Sequence, residues 1–254
     1  MRTAILSVPA LLVWGCGGGQ ANVAPTGATA AFTAADADRL YTEGMAAWRA
    51  GDDATAESRL RSSLDANPRY LAAHLSLGAL YLEGERYADA LARFDAAVGL
   101  RAHAADGHTG RARALVGLGR LDEAAQAAEL AATHAATSGS RAIEADAHEA
   151  NGDVRYATGD IDAAVTAYER AIELDSTRAT ARLHLARCYV DQGRPSDAVS
   201  LLGRGVTPEL GAETLTAFGA FFHAHSAYDR AVEVLLASND ARPGDVETLY
   251  LLAS

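Results

Sequence analysis

The residues able to do chemistry are few and poorly spaced for it. Eight histidines are present, and His148-Glu149 has the start of a helical zinc-protease site, in which a second histidine four residues after the first shares the metal from the same helix face. That position is Gly152, so the second imidazole is missing. His74, His108 and His148 stand at equivalent points of successive helices and read as packing residues. His223 and His225 are two residues apart and point to different faces of a helix. The chain has no lysine, which excludes Schiff-base chemistry and a phosphate-binding loop ending in Gly-Lys-Ser/Thr. No Gly-x-Ser-x-Gly elbow or Cys-x-x-Cys pair occurs, and the glycine run 17–19 has neither strand nor helix to frame it. Asp160 and Asp162 fall at a helix start, where carboxylates cap free N–H groups and complement the helix dipole. Cys16 and Cys188 are the two cysteines; Cys188 falls at a small, buried helix position. The expectation is a protein that is not an enzyme, with no metal, no cofactor and no small-molecule substrate.

What the sequence does carry is periodicity. Alanine is the commonest residue, prolines number six, and buried-strand runs of β-branched and aromatic residues are missing, so the chain reads as all-α. A 34-residue period begins at Ala37 and restarts at Leu71, Ala105, Ala145, Ala179 and Ala212. Position 15 of each unit is Gly51, Glu85, Gly119, Gly159, Gly193 or Ser226, a place where glycine can close a turn between two helices. Position 8 is Gly44, Gly78, Ala112, Gly152, Ala186 or Gly219, and position 20 is alanine in all six, so small residues mark the helix crossing. Larger side chains such as Leu40, Leu77, Phe94, Tyr168 and Phe218 recur at helical spacing around them. Residues 137–144 lengthen the join between units three and four. Gly203, Gly205 and Pro208 shorten the second helix of unit five. Residues 246–254 hold the start of a further helix with Leu249 and Leu252 at packing positions.

This pattern, with Pro68 and Pro243 at position 32 of the first and last units, resembles the tetratricopeptide-repeat (TPR) family over residues 37 to 245. The resemblance implies a right-handed superhelical solenoid of about six helical hairpins plus a partial seventh helix, working as a protein-protein interaction scaffold. In that family the concave face is lined by positions 2, 5, 9, 12 and 13 of each first helix. Here those positions hold Tyr41, Met45, Trp48 and Arg49, then Leu75 and Leu82, then Arg113 and Arg187 among Asp146, Glu149, Asp153 and Asp191. The implied partner-binding groove is apolar and aromatic at its N-terminal half and of mixed charge beyond. Tyr41 and Trp48 carry a second reading, as cover for the first hairpin. The Lys and Asn clamp that some members use on an acidic C-terminal carboxylate has no counterpart, since Tyr41, Met45 and Ala79 stand there.

Net charge is −11, which argues against nucleic acid and against direct docking on anionic lipid. Arg2 precedes an apolar stretch over residues 4–14, too short to span a membrane. Val13, Trp14 and Gly15 before Cys16 resemble a bacterial lipoprotein signal, although Trp14 departs from the pattern. By that resemblance residues 1–15 are a signal peptide, Cys16 is a lipid anchor, and Gly17 in place of Asp implies the periplasmic face of an outer membrane. Residues 16–35 read as a flexible tether rich in Gly, Ala and Thr, and 36–254 as the solenoid. The expected partners are proteins or peptide segments of the cell envelope, with membrane contact only through the lipid. A secreted protein, or a cytoplasmic interaction module that is a fragment of a larger regulator, is the alternative. Intact mass of the mature protein tests this: the expected product begins at Cys16 and carries the added mass of acyl chains, and Cys16→Ser abolishes both the processing and the partition into detergent.

Overall fold

A computed structural model describes residues 34–207 and 210–253; the signal segment, Cys16 and the tether up to residue 33 lie outside them. Among the described residues there are thirteen helices and no strand. The first hairpin is α1 (Ala34–Arg49) with α2 (Asp53–Ala66), the second α3 (Leu71–Glu83) with α4 (Tyr87–Leu100), the third α5 (Ala105–Gly117) with α6 (Leu121–Ser138). The fourth is α7 (Arg141–Ala157) with α8 (Ile161–Leu174), the fifth α9 (Ala179–Asp191) with α10 (Pro195–Gly205), the sixth α11 (Ala212–Ala224) with α12 (Tyr228–Ala241), and α13 (Val246–Ala253) follows. Each first helix packs on its own second helix, and α3, α5, α7, α9, α11 and α13 also pack on one another in series. The first helices therefore form one layer of an all-α solenoid and the second helices the other.

All six hairpins are closed in the same way. The residue at position 15 has positive φ in every unit: 76° at Gly51, 55° at Glu85, 71° at Gly119, 80° at Gly159, 74° at Gly193 and 59° at Ser226. The next residue then returns its N–H to a carbonyl five positions back, as Asp52 does to Ala47 at 3.0 Å, Arg120 to Leu115 at 2.9 Å and Ala227 to Phe222 at 2.8 Å. This satisfies carbonyls at the end of the first helix that have no partner within it. The second helices start on a matching pattern. Asp52 and Asp160 cap their own helices by accepting from Thr55 and Ala163, whereas Arg86, Arg120 and Arg194 pair with an acid three residues on.

The crossing inside each hairpin differs from the expectation that small residues meet small ones. Position-20 alanines are fully buried, Ala56, Ala90, Ala124, Ala164 and Ala198 at 0% exposure, but the glycines at position 8 receive a large side chain from position 24. A Cβ on Gly78 would stand 2.8 Å from the Phe94 ring, one on Gly152 2.5 Å from Tyr168, and one on Gly219 2.5 Å from Leu235. The glycine is a socket. Where position 8 is Ala112 the partner shrinks to Ala128.

Residues 137–144 do not form a longer loop. They continue α6 to 18 residues and start α7 early, leaving a two-residue joint of Gly139 (φ 71°) and the cap Ser140. The Ala- and Thr-containing sequence before Gly139 favours an added helical turn over a loop. The second helix of unit five is short, 11 residues, as its glycines predict. At the end, Leu252 packs against the core of α11 and α12 whereas Leu249 is 47% exposed. Thr248 is the buried anchor of α13, its hydroxyl 2.8 Å from that of Thr216, which is also 2.8 Å from Ser238.

Glu85 and Ser226 hold a conformation that costs an L-residue about 1 kcal/mol or more. Glu85→Gly and Ser226→Gly should each raise stability to chemical denaturation by about 1 kcal/mol, and Gly119→Ala should lower it by a similar amount.

Candidate partner-binding groove

The layer of first helices carries a concavity of about 1040 Å³ that runs from α3 to α9. Leu82, Tyr87 and Val116 form its apolar wall; Asp146, Glu149, Asp153 and Tyr156 of α7 form the floor; Arg178, His184 and Arg187 close the far side. A smaller concavity of about 310 Å³ adjoins it toward α1 and shares Ala79, Leu82, Arg113 and Asp146 with it.

The floor is held by a charge network built from three repeats. Glu149 is 5% exposed; it accepts from Arg178 at 2.9 Å and from the Thr180 hydroxyl at 2.6 Å, with Arg113 at 3.9 Å. Arg178 also pairs with Asp146. Asp153 accepts from the Tyr168 hydroxyl at 2.9 Å and lies 3.0 Å from Nδ1 of His184 and 3.5 Å from Arg113. Burial alone would raise the Asp153 carboxyl, but the His184 hydrogen bond, Arg113 and Tyr168 together hold it below the usual carboxylate range. Burial and the Asp153 charge push the Tyr168 phenol far up, so it acts as a donor only. A charge removed from water must be paired and hydrogen-bonded in this way or it costs several kcal/mol.

Of the residues expected to line the groove, Leu82, Arg113 and Arg187 line the larger concavity, and Trp48, Leu75, Leu82 and Arg113 the smaller. Tyr41, Met45 and Arg49 line neither. Tyr41 and Met45 pack against the core of the first hairpins, the Tyr41 hydroxyl 3.3 Å from Ser76 and its ring 5.2 Å from that of Tyr70; Arg49 ends α1 and is exposed. Trp48 serves both readings, since its indole N–H donates to Glu83 at 2.8 Å while its ring faces the smaller concavity.

Four groove residues stand off the family's lining positions and could not be found from them: Tyr87 and Tyr168 on second helices, His184 at position 6, and Arg178 in the loop before α9. Tyr168 had a signal, the glycine at position 152 that leaves room for its ring to reach Asp153. The other candidates for chemistry are structural. Nε2 of His74 and of His108 lies 3.0 Å and 2.9 Å from the carbonyls of Pro68 and Ala102, tying each helix to the loop before it. Among the described residues no group of three or more His, Cys, Asp or Glu is arranged to hold a metal ion. Cys188 is buried, with its thiol pushed up to about 11 by burial, so it is protonated at neutral pH.

Two family models, both described as tetratricopeptide repeat, match this sequence, one over residues 155–208 and the other over 41–100 and 78–140, together more than half of the chain. The chain belongs to the tetratricopeptide-repeat family. The matches stop at 140 and resume at 155, so the unmatched stretch begins within the insertion that extends α6 and α7. A comparison with curated proteins finds no match. Solved TPR structures share the fold. PilW, described as a widely conserved type IV pilus biogenesis factor, has a TM-score of 0.62 at 18% identity, covering 85% of this chain and 98% of that one. PilF of Pseudomonas aeruginosa has 0.58 at 18% identity, covering 86% and 97%. A MamA fragment from Desulfovibrio magneticus RS-1 has 0.51 at 16% identity, covering 67% and 93%.

The depressed carboxyl of Asp153 predicts an acid limit to stability. Because its folded value lies below its unfolded one, its contribution is complete above the unfolded value of about 3.9 and is lost as pH falls through the folded value. Urea denaturation between neutral pH and pH 3 should show this loss, and Asp153→Asn should flatten that part of the curve.

Proposed function

We propose that the chain is an exported, lipid-anchored TPR scaffold that binds or helps assemble other proteins of the cell envelope through the groove on its first helices. TPR proteins are protein-interaction scaffolds, and the single observation that supports the use of this groove is its construction. A surface concavity of about 1040 Å³ has a floor whose buried charges are already matched by fixed partners, so a bound segment finds formed donors and acceptors and pays little to order them. Tyr156, whose hydroxyl donates to Asp191 at 2.8 Å, and Arg187 are exposed side chains of the groove surface. Binding rather than catalysis is the activity this arrangement supports, because its acids and histidine are neutralised against one another and no nucleophile stands among them.

The envelope setting is supported by the leader sequence ending at Cys16 and by the full-length likeness of fold to a type IV pilus biogenesis factor. At 18% identity the likeness concerns the fold, and it makes pilus assembly the first pathway to examine.

Crosslinking and mass spectrometry of proteins recovered with a tagged chain from its native envelope test the proposal. A specific partner should be recovered with the wild type and lost with Tyr156→Ala, Arg187→Glu, two exposed changes that leave the core intact. Unchanged recovery would sink the groove reading, and recovery of cytoplasmic proteins alone would sink the envelope reading.

A further inference from the structure

We infer that the smaller concavity seats a basic side chain, arginine or lysine, of the polypeptide that the groove binds; this rests on the groove being a protein-binding surface. The cavity suits such a side chain in both halves. Its walls include Trp48, Leu75, Leu82 and Phe94, apolar surface against which the methylene stem of a basic residue packs while its charged head stays polar. The Trp48 ring is held by the hydrogen bond to Glu83 and presents the kind of aromatic surface on which a cation is stabilised.

The polar half has more acceptors than the chain itself uses. Asp106 and Asp146 both line the cavity. Asp146 is paired through one oxygen with Arg178, but among the described residues no arginine and no hydrogen-bond donor is set against Asp106. Asp106 keeps an edge exposed to water; its carboxyl is held above the usual range first by partial loss of solvent and then by the charge of Asp146, a repulsion that an incoming cation relieves. Arg113 borders the same cavity, yet its guanidinium is directed to Asp153 and Glu149.

A guanidinium or ammonium entering between Trp48 and Asp106 meets the carboxylates of Asp106 and Asp146, and their charge selects against an acidic segment.

The test uses four fluorescein-labelled octapeptides, identical in their alanine, serine and leucine residues and differing only in a central arginine, lysine, citrulline or glutamate. They are titrated into the full chain by fluorescence anisotropy. The arginine and lysine peptides should bind at least about tenfold more tightly than the citrulline peptide, with the glutamate peptide weakest. Asp106→Asn should remove most of that preference, with circular dichroism confirming that the variant melts like the wild type. Equal binding of arginine and citrulline, a preference untouched by Asp106→Asn, or no binding of the basic peptides overturns the inference. A chain that still loses its envelope partner on Tyr156→Ala, Arg187→Glu keeps the groove reading without this one; failure of both experiments removes both.

Discussion

Each hairpin in this chain depends on one close approach, in which the first helix meets the second across a glycine or alanine and an invariant buried alanine. At this crossing the helices cannot separate without emptying the core or approach without a clash. Ala56, Ala90, Ala124, Ala164 and Ala198 have no exposed surface, and in four of the six units a glycine opposite position 24 admits a leucine or an aromatic ring. The left-handed residue two positions beyond the end of the first helix then turns the chain back each time. Because six hairpins share this geometry, their first helices stack in one layer, and the groove is the surface of that layer.

The same socket contributes to the groove itself. Tyr168 belongs to a second helix and would ordinarily be confined to the outer layer, but the space left by Gly152 lets its hydroxyl reach Asp153. From there the network passes to His184, Arg113, Glu149 and Arg178, so that residues of three successive hairpins fix one another's charge. The consequence is a division of the groove into two kinds of surface. Over α7 and α9 the acids are paired with Arg113 and Arg178, whereas at the smaller concavity no arginine among the described residues is set against Asp106. Preorganised polar surface gives a bound segment its register, and uncompensated groups give it selectivity.

The sixth hairpin is followed by the short helix α13 (Val246–Ala253). On α12, Tyr228, Val232 and Leu236 are 57%, 47% and 51% exposed, although the equivalent Tyr87 and Leu91 of the second unit are covered by the helix that follows. The eight residues of α13 pack on α11 and α12, anchored by the buried hydroxyls of Thr216, Ser238 and Thr248 rather than by Leu249.

By itself the sequence determined the fold class, the number of hairpins and the turn inside each hairpin, because those follow from local rules repeated every 34 residues. Even the sixth hairpin, beyond the reach of the family matches, was legible from Gly219, Ser226 and Ala231 at the expected spacing. The helix-A lining positions likewise placed Trp48, Leu75, Leu82, Arg113 and Arg187 at the groove. Tertiary structure alone decided that Tyr41 and Met45 stand half-buried against the first hairpins and line neither concavity, that residues 137–144 lengthen two helices instead of a loop, and that Tyr168, His184 and Arg178 join the floor. The physical reason is that a repeat register specifies the direction of a side chain from its own helix. Which charges find partners, and which of two neighbouring helices claims a ring, depends on distances across three hairpins that no single 34-residue unit contains.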